Sequence, residues 1–228
     1  MFQINWKLKA FLYSVLEILK LKNFLYFLQK YITKRSLPNN REIKKIWLAH
    51  SKTIEGHSVK KLIEVGAGKS LDQNFFFSYK FNSKISQTLI DINKMIDFDL
   101  VNIANEQVSK LFQLPVKGKV KNISDLKYYF NIDYKAPFAL EDFPEDEKFD
   151  LCITTNTFEH FKKTELVYFL KILKKILIKN GKISSVIDYS DHYSHTDKNI
   201  SNLNFLKYSN EEWGKYNNNF LLQYYSVY

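Results

Sequence analysis

The chain has 228 residues, 45% hydrophobic and 16% aromatic, enough for one α/β domain with an accessory segment but not for two full domains. Its single cysteine, Cys152, excludes a disulfide scaffold, and it carries no signal-peptide pattern and no uninterrupted apolar run of transmembrane length, which points to a cytoplasmic protein. The net charge of +10 is almost all lysine, so bidentate recognition of phosphate or guanine is poorly provided for and nucleic acid is not an expected partner.

Most of that charge lies in residues 1–60, where 12 Lys/Arg face only Glu17, Glu42 and Glu55. Apolar residues recur there at helical spacing: Phe11, Leu12, Val15, Leu16 and Leu19, then Phe24, Leu25, Phe27, Leu28, Tyr31 and Ile32. Two short helices joined near Lys22-Asn23 are expected, ended by Leu37-Pro38-Asn39-Asn40, with a third from Arg41 to about Glu55 that stops at Gly56. A basic amphipathic segment of this kind either lies on an anionic membrane surface or caps a sheet with its lysines solvated. The favoured expectation is a helical cap, residues 1–56, on an α/β domain of residues 57–228. The alternative is peripheral membrane contact through residues 1–34.

Next comes Ile63-Glu64-Val65-Gly66-Ala67-Gly68-Lys69-Ser70, an apolar strand that runs into a Gly-x-Gly turn. Glycines there remove the Cβ atoms that would hold a ligand off the backbone. A second strand, Gln87-Thr88-Leu89-Ile90-Asp91, ends in an acid suited to accept from both hydroxyls of a ribose. A nicotinamide fingerprint would need a third glycine where Leu71 stands, and a P-loop would need one at Ile63, so Gly68-Lys69-Ser70 only imitates its end.

Asn93 to about Phe112 reads as a helix with Met95, Ile96, Leu100, Ile103, Ala104, Val108 and Leu111 on its apolar side. Gln113–Asn122 is loop-like. Ser124–Phe130 reads as a short helix with Ser124 as N-cap, and Ile132-Asp133-Tyr134 as a third strand ended by Pro137. Phe149–Thr155 is a continuous apolar run, as in a strand buried on both faces, and Cys152 within it is expected to be an inert core thiol. Asn156, Glu159 and His160 follow. A helix over Leu166–Lys179, stopped at Gly181, leads to the strand Ile183–Asp188. Beyond it, Asp188-Tyr189-Ser190-Asp191-His192-Tyr193-Ser194-His195-Thr196-Asp197 gathers ionisable groups where open α/β sheets bind ligands. A histidine there has the proton affinity to assist a hydroxyl nucleophile. Asp191, His192, His195 and Asp197 are metal-ligand types, but their spacing matches no zinc pattern and no metal is expected.

Glu-x-Gly-x-Gly after a strand resembles motif I of class I S-adenosylmethionine-dependent methyltransferases, and residues 149–161 resemble the motif IV region of small-molecule members. The resemblance covers about residues 60–190. Ile200 to Trp213 looks like a subgroup of methyltransferase-domain proteins from bacterial surface-glycan gene neighbourhoods. It implies a Rossmann-like, mostly parallel sheet with helices on both faces, and S-adenosylmethionine held by Glu64, Gly66, Ala67, Gly68 and Asp91, with Asn156 near the methyl group. Glu64 would act directly on the ligand's ammonium group or through the turn. His160 or His192 would take the proton of a hydroxyl on a glycan or related small metabolite. Two departures stand out: Ser70 replaces a frequent glycine, and Ala136-Pro137 occupies the place of an adenine-binding acid, leaving the backbone, Glu141 or Asp142 to substitute. Only 40 residues follow Asp188, so the usual C-terminal hairpin is expected to be missing or incomplete, with at most one strand in Phe220–Tyr228. The competing expectation is a methyltransferase-like binding or peripheral membrane module without catalysis.

Overall fold

The computed structural model describes residues 4–138, 142–144 and 146–217. Their contacts gather into two compact units. One holds residues 37–158 and 164–186; the other holds the chain up to Ser36, Glu159–Lys163 and the chain from Ile187 onward.

The first unit contains a five-stranded sheet: β1 Lys61–Val65, β2 Ser86–Ile90, β3 Ile132–Lys135, β4 Phe149–Thr155 and β5 Leu177–Val186. All pairings are parallel, in the order β3-β2-β1-β4-β5. Adjacent side chains in a strand point to opposite faces, and Leu62, Ile63, Leu151, Cys152 and Ile153 are all fully buried, so both faces of the central strands are covered. Around them lie α3 Lys45–Gly56, α4 Asp72–Lys80, α5 Phe98–Leu111, α6 Ile123–Phe130 and α7 Lys163–Ile176. Trp47 of α3, Phe75 of α4, Val101 of α5 and Phe130 of α6 join Leu62 and Leu89 in one apolar core. This is a Rossmann-like arrangement. Its strand order reverses between β1 and β4, the point where such sheets open a crevice beyond the strands' carboxyl ends.

Several element bounds differ from expectation for local reasons. Helix α5 starts at Phe98 rather than Asn93, because the Asp97 side chain accepts from the amides of Asp99 and Leu100 and caps it there. Met95 and Ile96 precede the helix, their amides donating to the Tyr134 hydroxyl at 3.1 and 3.4 Å. The cap of α6 is Asn122, in a reciprocal capping box with Asp125, not Ser124. Helix α3 begins at Lys45 rather than Arg41. Helix α7 runs from Lys163 to Ile176, earlier than expected, and Gly181 does not stop it. Gly181 lies inside β5, the strand at the sheet's edge, where the register against β4 shifts and an extra Cβ would meet the Ile178 carbonyl at 3.0 Å.

The second unit holds α1 Trp6–Ile18, α2 Lys22–Phe27, a π-helical turn Leu28–Ile32, a 3-10 turn Asn204–Lys207 and α8 Asn210–Gly214. Its core is aromatic: Trp6 and Ala10 pack with Tyr193, Phe205 and Trp213. Asn5 caps α1, and the Trp6 amide donates to the Asp197 carboxylate at 2.9 Å. The N-terminal helices thus share a core with the chain beyond β5, whereas α3 packs in the sheet unit. The contacts divide the chain after Ser36. Among the described residues no helix is long and apolar enough to cross a membrane. The strand expected within Phe220–Tyr228 lies outside the described residues.

Candidate functional site

Three neighbouring strands deliver their following residues to one edge of the sheet. After β1 the chain turns through Gly66 and Gly68, both in the left-handed region at φ +78° and +73°. The two glycines are needed for different reasons. A Cβ on Gly66 would lie 2.5 Å from Thr157 Oγ1, whereas one on Gly68 would meet nothing within 4 Å. The turn is pinned by the Gly66 amide donating to the Ile90 carbonyl at 2.9 Å and the Asp97 amide donating to Lys69 at 3.1 Å. Leu71, the position of the missing third glycine, also takes left-handed backbone at φ 57° while buried in the core.

Asp91 follows β2. Its side chain is buried and accepts from the Asn93 amide at 3.3 Å, and its carbonyl accepts from the Phe138 amide at 2.9 Å. Asn156 follows β4 with φ 49°, its side chain exposed and its amide donating to Val186 of β5 at 2.8 Å. Thr157, which fixes Gly66, donates to the Val65 and Thr155 carbonyls at 3.3 and 3.0 Å. The structure therefore brings Gly66, Ala67, Gly68, Asp91 and Asn156 to the carboxyl ends of β1, β2 and β4, on both sides of the strand-order reversal. Of the substitutes for the adenine-binding acid, Asp142 is described and Glu141 lies outside the described residues.

Glu64 is different. It is 3% exposed, and its carboxylate accepts from Gln73 Nε2 at 3.0 Å and Asn74 Nδ2 at 2.5 Å, both on α4. Burial raises its pKa to about 7, against the pull of those two amides. These two bonds tie the end of β1 to the start of α4. The tie belongs to a longer buried chain. Asn74 also donates to Gln87 at 3.2 Å, Thr155 donates to Gln73 at 3.2 Å, and His50 meets Thr155 at 3.1 Å and Ser184 at 2.8 Å. His50 is fully buried, which lowers its pKa to about 4 and keeps it neutral. The sequence reading missed Gln73, Asn74, Thr157 and His50. Its one available clue was Gln87, a long amide in a strand that is buried in the structure.

A hollow of about 410 Å³ lies elsewhere in this unit, lined by Ile54, Val59, Phe81 and Ile85 and edged by the Lys80–Glu55 ion pair at 3.1 Å. Val59 and Ile85 precede β1 and β2, so the hollow sits at the strands' amino ends. Ligands of open α/β sheets bind at the opposite ends, and the strand ends above are the better candidate. Cys152 is fully buried, and burial pushes its thiol well above the usual range, as fits an inert core residue.

The two histidines singled out above come together in the other unit. The rings of His160 and His192 are 5.7 Å apart, and those of His192 and His195 are 5.6 Å apart. Asp188 lies 3.8 Å from His192 and 3.6 Å from His195. Burial, which raises the Asp188 pKa, is outweighed by the Ser190 hydroxyl and amide at 2.6 and 2.8 Å, so its carboxyl stays ionised. His192 is moved down to about 4 by burial first and by His160 second, and is neutral near pH 7. Glu159 is buried, with one carboxylate oxygen facing the Asp188 amide at 3.4 Å and a raised pKa caused chiefly by that burial. The remaining acids hold the loop. Asp191 accepts from the Tyr193 amide and Asn204, and Asp197 from the Asn199 and Trp6 amides. Among the described residues no cluster of three or more His, Cys, Asp or Glu side chains is arranged to hold a metal.

No family model and no curated protein matches the chain. Among solved structures it is similar to PKMT2 from Rickettsia typhi in complex with AdoHcy, at 19% identity over 65% of this chain and 25% of that one, with a TM-score of 0.39. It is also similar to the N-methyltransferase NodS from Bradyrhizobium japonicum WM9, at 14% identity over 62% of this chain and 65% of that one (TM-score 0.37). A third is an S-adenosylmethionine-dependent methyltransferase from Clostridium acetobutylicum ATCC 824, at 12% identity over 75% and 58% (TM-score 0.41). The matched stretch spans less than two thirds of each of those chains. Similarities of this size assign neither an activity nor a ligand to this chain. Its own strand order and turn define it: a Rossmann-like parallel sheet with a Gly-x-Gly bend at the point of reversal.

Proposed function

We propose that this chain is an S-adenosylmethionine-dependent methyltransferase acting on an oxygen of a glycan or related small metabolite, in a cytoplasmic setting. The observation that carries this reading is the turn at Gly66–Gly68, with Asp91 and Asn156 following the strands on either side of it. The turn suits a cofactor without phosphate. It has no third glycine and no P-loop length, yet the space beside Gly68 would accept a group that a side chain would displace. Asp91 would accept hydrogen bonds from the ribose hydroxyls, and the exposed Asn156 would lie near the reacting end. Glu64 would act through its amide partners, holding the turn rather than the ligand. When bound, the cofactor supplies an electrophilic methyl group already activated by its sulfonium charge. The protein's task is then to hold donor and acceptor at attack distance and exclude water. His192, neutral near pH 7, has a lone pair with which to take the acceptor's hydroxyl proton, and His160 is the other candidate for that role.

Calorimetry with S-adenosylmethionine tests the reading. The wild-type chain should bind it, and Asp91→Ala should bind at least roughly tenfold more weakly, as the loss of a charge-assisted hydrogen bond to a ribose implies. No binding by wild type, or equal affinity in the variant, would overturn the assignment. A second reading is a methyltransferase-like module without catalysis that attaches to membranes through the exposed apolar side chains of α1. Cofactor binding with no methyl transfer to any hydroxyl acceptor would support that reading instead.

A further inference from the structure

Helix α1 is apolar on two opposite sides. Trp6 and Ala10 face inward to the aromatic core with Tyr193 and Trp213. Leu8, Phe11, Leu12 and Leu19 follow the helical repeat along the other side and are between 45% and 63% exposed. Phe24 and Phe27 of α2 are half exposed as well. Scattered exposed leucines need no explanation, but a row of them along one helix face does. Lys7, Lys20, Lys22 and Lys34 are exposed in the same segment, and its first 36 residues carry seven Lys/Arg against Glu17 alone.

We propose that this face seats the protein on an anionic lipid bilayer, with the leucine and phenylalanine side chains entering the headgroup boundary and the lysines meeting lipid phosphates. A helix of 13 residues is about 20 Å long, short of the roughly 30 Å hydrocarbon core, so it lies in the plane of the surface. Charge favours this occupant over a second copy of the chain. Two such faces brought together would oppose lysine to lysine, whereas an anionic leaflet complements them. The surface does not depend on the methyl-transfer reading and would serve either an enzyme or a binding module.

Co-sedimentation of the full chain with phosphatidylcholine vesicles, with and without about one third phosphatidylglycerol, tests it. Wild type should partition roughly tenfold more strongly onto the anionic vesicles and lose most of that gain at high salt. The double substitution Phe11→Glu with Leu12→Glu should abolish vesicle binding. Because both side chains are exposed, its melting temperature and any S-adenosylmethionine affinity should match wild type. Substituting Lys20, Lys22 and Lys34 together by Gln should weaken binding to anionic vesicles several-fold and leave neutral vesicles unaffected. The proposal is overturned if wild type does not bind anionic vesicles, or if the double variant binds them as well as wild type. It is equally overturned if light scattering shows a wild-type dimer that the double variant disperses while neither binds vesicles.

Discussion

The bend after β1 and the loop after β5 both place unusual polar residues beyond a strand's carboxyl end, yet they are built in opposite ways. At the bend, shape comes from the backbone. Two glycines take left-handed angles, and the carboxylate of Glu64 is spent inside the protein on Gln73 and Asn74. In the loop, shape comes from side chains, with Asp191 and Asp197 accepting main-chain amides and Asp188 gathering Ser190 and two histidines. A density of ionisable residues in a sequence therefore has two meanings. It marks groups that hold a segment in place as readily as groups that face a ligand, and only their partners tell which.

The largest effect should come from the bend. Gly66→Val adds a Cβ where Thr157 leaves 2.5 Å, at a φ of +78°. Left-handed strain and overpacking together should cost about 3 kcal/mol in urea unfolding, because Thr157 is itself anchored to two carbonyls. A loss below about 1 kcal/mol would mean that Thr157 yields easily and the bend is less tightly fixed than its contacts indicate.

Acid–base behaviour separates Glu64 from His192 by sign. The folded pKa of Glu64, about 7, lies above its ordinary 4.5, so the folded chain holds that proton longer than the unfolded one and stability falls as pH rises between those values. At about 1.4 kcal/mol per unit the fall amounts to about 3 kcal/mol, and Glu64→Gln should flatten it. His192 does the reverse. Its folded pKa of about 4 lies below 6.5, so the unfolded chain binds the proton first and stability rises with pH across that window. His192→Gln should remove a smaller rise, since the ring remains partly solvated. Unfolding midpoints of the two variants from pH 4 to 8 should therefore diverge from wild type in opposite senses. Parallel curves would show that one of these burials is wrongly understood. Asp91→Ala, at the tip of β2, should weaken S-adenosylmethionine binding at least roughly tenfold.

What could be read from the chain in advance follows the same division. Strands β1 and β4 announce themselves as mainly apolar runs ended by Gly or Asn, because burial on both faces leaves little freedom in residue type, whereas β2 and β3 carry more polar residues and were legible by the Asp91 and Pro137 beyond them. The helix starts were less legible. Asp97 and Asn122 act as caps only because the backbone arrives there in extended conformation, and the apolar Met95 and Ile96 extend the helical pattern past the real start. Glu64 was legible as a residue of the strand, and its partners were not. Whether a carboxylate at a strand end faces out or in depends on amides nine and ten residues later, which periodicity does not pair with it. The two apolar sides of α1 have the same origin: helical spacing reveals a stripe without saying what covers it.

Gly68 supplies the smallest effect on stability. It shares the left-handed backbone of Gly66, but no atom lies within 4 Å of an added Cβ. Gly68→Ala should therefore cost only the backbone strain, about 1 kcal/mol, with no packing term. If the space beside it serves a ligand, affinity should respond more than folding. The alanine methyl would stand where the cofactor approaches the main chain, and S-adenosylmethionine binding should drop by more than the tenfold or so expected at Asp91. Measured side by side, Gly66→Val should lose stability and binding together, while Gly68→Ala should lose binding almost alone. Equal losses of binding and stability at Gly68 would make that glycine a folding residue and leave the bend without a demonstrated ligand.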